Sequence, residues 1–316
     1  MAVLSIQSHV VYGYAGNTAA VFPLQRMGRE VWAINTVEFS NHTGYGAWRG
    51  KVLDPSLILE LVEGLEERGA LPHCEAVLSG YLGDAASARG IVEAVKKVKA
   101  ASPSAVYCCD PVMGDVGRGF YVHPDIPDMF RNEVIALADI VTPNQFELEA
   151  LTGMDSSTLD GARRAVEKLH RMGPGVVLVT SFREAGGEAG RIGILVSDRT
   201  GIYRTTTTEF QLGRGMAGSG DLTASVFLSR YLETTGGKGT DAGGKGTDAD
   251  GKGMDADIKR TLELCTASVF GIIEATWKAE GQDKNAVKNA APPELRLIQN
   301  QDELLHPSNS FRAEKL

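Results

Sequence analysis

Ala2-Val-Leu-Ser-Ile-Gln7, Ala19-Ala-Val-Phe-Pro-Leu-Gln-Arg-Met-Gly28, Val31-Trp-Ala-Ile-Asn-Thr-Val-Glu-Phe39, Ser56-Leu-Ile-Leu-Glu-Leu-Val-Glu-Gly-Leu-Glu-Glu-Arg-Gly69 and Ala76-Val-Leu-Ser-Gly-Tyr-Leu-Gly83 follow one another along the chain. Short apolar runs alternate with longer amphipathic ones, the βαβα rhythm of a mostly parallel sheet flanked by helices. The rhythm continues with a helix over 86–101, strands over 105–114 and 138–144, a helix over 161–173 and a strand over 175–181. Residues 191–212 read as two antiparallel strands around the turn Asp198-Arg-Thr-Gly201, which gives the sheet an antiparallel edge. Most of the strands end in polar or glycine-bearing loops. In open α/β sheets ligands gather beyond the carboxyl ends of the strands, so the site is expected there.

The 316 residues are 43% hydrophobic and 23% charged, ordinary globular usage. A net charge of -8 opposes broad binding to a nucleic-acid backbone, which needs clustered cations. The first residues lack a basic leader, and no apolar run reaches the roughly 20 residues that span a bilayer. The expectation is a soluble, cytoplasmic protein with no nucleic-acid or membrane partner. Cys74, Cys108, Cys109 and Cys265 have no metal-ligand spacing and read as buried thiols, with Cys108 and Cys109 pointing to opposite faces of a strand. The six histidines are equally scattered. Residues 236–256 are three copies of a seven-residue unit nearly devoid of apolar side chains. The expectation is one domain over 1–316, carrying a flexible insertion over 234–257. Beyond the insertion, 257–279 reads as a long buried helix, and 294–316 as a final strand or cover segment.

Chemistry concentrates in Gly213-Arg-Gly-Met-Ala-Gly-Ser-Gly-Asp221, directly ahead of an amphipathic helix. Small residues let a ligand approach the backbone, and the unpaired N–H groups of a helix start favour an anion, phosphate above all. Asp221 can cap the helix or take a proton from an attacking alcohol, and the residues alone leave both open. The same stretch matches GxGxxG, but it follows antiparallel strands late in the chain, where a dinucleotide fingerprint does not belong. No GK[ST] of a Walker loop occurs. Two further clusters follow buried strands: Asp110-Pro-Val-Met-Gly-Asp115 and Thr142-Pro-Asn-Gln-Phe-Glu147. Asp110, Asp115, Asn144 and Glu147 are hard oxygen donors that suit a nucleotide-bound Mg²⁺, directly or through water.

Ser5-Ile-Gln-Ser-His-Val-Val-Tyr-Gly-Tyr-Ala-Gly-Asn17, Asn35-Thr-Val-Glu-Phe-Ser-Asn-His-Thr-Gly-Tyr45, Leu78-Ser-Gly-Tyr-Leu-Gly83, Cys109-Asp-Pro-Val-Met-Gly114 and Gly218-Ser-Gly-Asp221 together resemble pyridoxal kinase, of the ribokinase-like superfamily. The likeness spans nearly the whole chain outside the repeats. It implies ATP-dependent phosphorylation of B6 vitamers, with Ser8 and Thr43 hydrogen-bonding the ring, Val37 and Tyr81 shaping its pocket, and Asp221 as base. It also implies an anion hole of Gly218, Ser219 and Gly220. Asp110, Thr142, Glu147, Thr180, Ser181, Arg214, Gly215, Met216 and Ala217 would surround ATP, with Mg²⁺ and an activating monovalent cation as possible ions and a homodimer as the assembly. Ser219 stands where the family commonly has Thr, and Thr180 where some bacterial relatives carry Lys. The competing readings are a related hydroxymethylpyrimidine or sugar kinase and a non-catalytic B6 carrier.

Overall fold

Six strands run parallel at the centre of a ten-stranded sheet. The computed structural model describes residues 1–198, 201–210, 216–236, 254–282 and 293–316, with only the backbone of 254–257 and 281–282. Arg214 and Gly215, expected near the nucleotide, and residues 237–253 of the expected insertion lie outside the described residues. The insertion's expected last residues belong to a helix that opens at Met254.

The strands are β1 (Ala2–Tyr12), β2 (Glu30–Asn41), β3 (Gly50–Val52), β4 (Cys74–Ser79), β5 (Val106–Cys109), β6 (Gly114–Asp115), β7 (Gly119–Phe120), β8 (Ile140–Val141), β9 (Val176–Phe182), β10 (Arg191–Ser197), β11 (Ile202–Thr208) and β12 (Glu314–Lys315). The large sheet has the order β12-β11-β10-β9-β8-β5-β4-β1-β2-β3, and β6 with β7 forms a separate hairpin. Strands β10 to β12 supply the expected antiparallel edge, the last drawn from the tail. A further antiparallel strand, β3, covers the opposite edge. From β1 the chain moves to β2 on one side, then returns to β4, β5, β8 and β9 on the other. A crevice therefore opens at the carboxyl ends of the strands around β1.

The helices are α1 (Asn17–Arg26), α2 (Ser56–Glu67), α3 (Ala86–Ala101), α4 (Ile126–Met129), α5 (Gln145–Thr152), α6 (Leu159–Met172), α7 (Ser219–Thr234) and α8 (Met254–Gln282). Because successive strand residues face opposite ways, β1 and β5 serve two cores. Leu4, Ile6, Tyr107 and Cys109 pack with Ile58 and Val62 of α2, Ile91 and Val95 of α3 and Leu169 of α6. Val3, Val106 and Cys108 pack on the other side with Leu24 of α1, Leu222 and Phe227 of α7 and Leu262 of α8. Each fully buried side chain of this size contributes about 1.5–3 kcal/mol, so the sheet is fixed firmly from both faces. All four cysteines are buried and unpaired. No helix among the described residues is long and apolar enough to cross a membrane.

Candidate active site

A cavity of about 390 Å³ lies at the carboxyl ends of β1, β4, β5, β8 and β9 and the start of α7. Ser8, Thr43, Tyr81, Asp110, Asp115, Thr142, Asn144, Glu147, Thr180, Ser181, Met216, Ala217, Gly218, Ser219, Gly220 and Asp221 all line it. Val37 does not. It is wholly buried in β2, and its Cγ1 stands 2.5 Å from where a Cβ on Gly83 would lie. The β1–β2 register shifts here, Gln7 facing Asn35 but His9 facing Glu38, so one residue of β1 opposes two of β2. Such a bulge re-aims side chains, and strict alternation in the sequence gives no sign of it.

Helix α7 begins at Gly218, its cap, which offers no side chain to the first-turn N–H groups. Gly218 has φ 77°, and a Cβ there would meet the Tyr14 carbonyl oxygen at 2.2 Å. Only glycine lets the helix start this close to the loop after β1. Asp221 is three residues inside the cap, so it is not the N-cap that its sequence position allowed. Its carboxylate accepts the Gly16 N–H, and surrounding protein holds its pKa above the ordinary aspartate value while that hydrogen bond pulls it back.

Across Gly220, Asp110 follows β5 and is almost completely buried. The Thr142 hydroxyl donates to its Oδ1 at 2.9 Å. Its pKa stands well above the usual carboxylate range, first from burial and then from the charges of Glu147 and Asp221. Glu147 and Asn144 form a capping box at the start of α5. Glu147 accepts the N–H of Met113 at 2.9 Å, of Gly114 at 3.5 Å and of Asn144 at 2.9 Å. Burial pushes its pKa up, while these donors oppose the shift. Asn144 is spent likewise, its Nδ2 donating to the Gly114 carbonyl at 2.8 Å. Ser181, at the end of β9, has φ 58°, the sole left-handed non-glycine residue among those described. Strain of this kind collects at functional sites.

The cavity wall also holds Val10, Ala15, Phe39, His42, Gly44, Val112, Arg118 and Tyr121, which sequence reasoning passed over. His42 and Gly44 lie inside a segment already singled out, whereas Arg118 and Tyr121 arrive on and just after the β6–β7 hairpin. The glycines at 117 and 119 are the available signal for that turn. Arg118 is the one arginine or lysine lining the cavity among the described residues. Burial and the Arg118 charge lower the His42 pKa, and its Nδ1 accepts the Gly44 N–H at 3.0 Å.

Among the described residues no three His, Cys, Asp or Glu side chains form a self-sufficient metal site. Their chemistry still fits Mg²⁺ brought by a nucleotide. Asp110 and Asp115 are hard donors, and crowding of negative charge at Asp110 is what a cation relieves. An uncapped helix start beside buried carboxylates, at the strand ends of a mostly parallel sheet, suits a phosphate-bearing ligand with its cation. The phosphomethylpyrimidine kinase family model matches residues 66–235. Pyridoxal kinase PdxY of Rubrobacter xylanophilus is 44% identical over 315 residues, covering 99% of this chain and 97% of that protein. The Deinococcus radiodurans pyridoxal kinase PdxY is 41% identical over 318 residues, covering 99% and 96%. Pyridoxal kinase from Leishmania donovani, solved with ADP and pyridoxamine, superposes with a TM-score of 0.82 at 31% identity, covering 99% of both chains. The chain belongs to the pyridoxal kinase family.

Proposed function

We propose that this chain transfers the γ-phosphoryl group of ATP to the 5′-hydroxyl of pyridoxal, and of pyridoxamine and pyridoxine, with Asp221 as the general base. One observation carries the reading: the Asp221 carboxylate sits one turn inside an uncapped helix start and lines the same cavity as Ser8 and Thr43. The names of the full-length relatives support the substrate, as do Leishmania enzyme complexes with ADP and pyridoxamine or pyridoxine.

In this reading the Ser8 and Thr43 hydroxyls hold the ring and Tyr81 flanks it, while Val37, buried in β2 away from the cavity lining, takes no part. Asp110, Thr142, Glu147, Thr180, Ser181 and the segment from Arg214 to Ala217 surround the nucleotide. Asp221 accepts the proton as the 5′-oxygen attacks, a step worth roughly 10²–10⁴ in rate. The N–H groups of Gly218, Ser219 and Gly220 face the charge on the transferred group. Holding the two substrates in line supplies much of the rest, since phosphoryl transfer asks little covalent chemistry of the protein. Asp110 and Asp115 would hold Mg²⁺ directly, with Asn144 and Glu147 acting through water because their side chains are already engaged. When bound, the ion neutralises phosphate charge.

We also infer one kinase domain over 1–316, cytoplasmic and homodimeric. Val11 and Tyr12 are 78% and 61% exposed at the end of β1, and Trp48 is 49% exposed over Phe39 of the adjoining β2. An apolar surface of this kind is the physical warrant for a partner copy.

The test is ATP- and Mg²⁺-dependent formation of pyridoxal phosphate by the purified chain and its Asp221→Asn variant. Product from the first, with kcat at least about 100-fold lower in the second, is the expected outcome. Product from neither, with pyridoxal still bound, would move the assignment to a carrier. The match to the phosphomethylpyrimidine kinase family over 66–235 favours a pyrimidine kinase as second reading, and hydroxymethylpyrimidine and its phosphate run beside pyridoxal decide between them.

A further inference from the structure

Three parts of the chain meet at Glu294. Its Oε2 accepts the backbone N–H of Tyr14 at 2.7 Å, and its Oε1 accepts the Tyr45 hydroxyl at 2.5 Å. Gly13, with φ 88°, makes room: a Cβ there would fall 2.2 Å from Oε1. Tyr45 ends the short helical turn Thr43–Tyr45, and Tyr12 packs edge-on against its ring at 6.1 Å. The burial of the Tyr45 hydroxyl and its bond to Glu294 hold its pKa far above the ordinary phenol value, so it stays a proton donor to the carboxylate. On its other side, the Tyr14 carbonyl is the group pressed against Gly218 at the start of α7. One carboxylate thus joins the turn bearing Thr43 to the loop abutting the helix start.

We infer that Glu294 is a positioning residue for phosphoryl transfer, one that sets the separation between the vitamer-holding turn and the phosphate-facing end of α7. The inference rests on the assignment of Thr43 to the vitamer and of Gly218–Gly220 to the phosphate. Glu294 itself does not line the cavity. It acts through Tyr45 on the acceptor side and through Tyr14 on the transfer side, and neither of these is a residue assigned to the nucleotide. Its loss therefore reaches the vitamer and the alignment of its hydroxyl while leaving ATP binding in place. The two oxygens serve different donors, so glutamine preserves one bond through its carbonyl and the other only if the Tyr45 hydroxyl turns round to accept from the amide.

The experiment is steady-state kinetics on Glu294→Ala, Glu294→Gln and Tyr45→Phe in the full chain, with Thr43→Ala alongside and thermal unfolding recorded for each. A hydrogen bond to a charged group is worth about tenfold or more when one partner is removed. Glu294→Ala is expected to raise KM for pyridoxal and lower kcat by about tenfold each, with KM for ATP within about twofold of the parent. Glu294→Gln should recover part of the loss, and Tyr45→Phe should reproduce the KM effect. Adding Tyr45→Phe to Glu294→Ala should then cost little more than Glu294→Ala alone, since the two act as one contact. If Glu294→Ala leaves both pyridoxal constants unchanged, or raises both KM values together in step with lost thermal stability, the inference is overturned. Thr43→Ala separates the causes. A pyridoxal KM raised by Thr43→Ala but untouched by Glu294→Ala removes only the positioning role, whereas no effect of Thr43→Ala removes the assignment of the turn and the inference with it.

Discussion

Asp221 and Asp110 face each other past Gly220, whose missing side chain leaves open the space between helix start and strand end: a Cβ there would stand 3.9 Å from Asp110 Oδ2. Asp221 works as a base only when ionised, and burial raises its pKa above the ordinary aspartate value near 4. The acid limb of kcat should therefore sit above that value, with rate rising as pH climbs through it. Asp221→Asn should lose this limb along with its rate, measured as kcat against pH at saturating substrates. A limb unchanged in the variant would assign the titration to another group. Asp221 was legible as a catalytic candidate because it adjoins a glycine-rich run. That it is not the helix cap was not legible, since cap and third position differ only in backbone angles.

At the scale of elements, helix α7 is where the fold delivers its charge-accepting end to the cavity, and Gly218 is the condition for that approach. Gly218→Ala should cost about 1–2 kcal/mol from the left-handed backbone alone, with the Tyr14 carbonyl pushed away in addition. Urea unfolding would measure the first effect, and a kcat reduced beyond about tenfold the second. A fully active, equally stable alanine variant would contradict both. The buried central strands were readable because parallel strands covered on both faces are nearly continuous apolar runs. Strand β8 counts two residues where seven read as extended, although the residues on either side of it still bond to β5. The Asp139 carboxylate accepts the Tyr107 N–H at 2.7 Å, and the Thr142 N–H donates to the Cys109 carbonyl at 3.0 Å. Strand β3 is three exposed residues without alternation and leaves no sequence signature. Glu294 is less visible still: it lies 280 positions from Tyr14, and no local pattern links residues so far apart.

For the molecule as a whole, three buried or enclosed carboxylates carry raised pKa values at one place. Between the ordinary carboxylate value near 4 and their folded values, the native state holds protons that the unfolded chain has released. Stability must then fall as pH rises through this window. The thermal midpoint should drop from pH 5 toward pH 8, and the drop should shrink in Glu147→Gln and on adding Mg²⁺ with nucleotide. A midpoint rising over the same range would contradict the charge crowding at Asp110. The exposed surface of Val11, Tyr12 and Trp48 leads to a separate expectation, that the parent scatters light as a dimer and the Tyr12→Glu, Trp48→Glu variant as a monomer. The buried cysteines carry a last consequence. Burial raises the pKa of all four thiols, and Cys108 and Cys109 sit back to back in the middle of the sheet. A thiol reagent added to the intact protein finds nothing to label, so the rate at which colour develops is a clock for the sheet coming apart. Slowing of that clock by each substrate in turn would report occupancy of the cavity without any chemistry taking place.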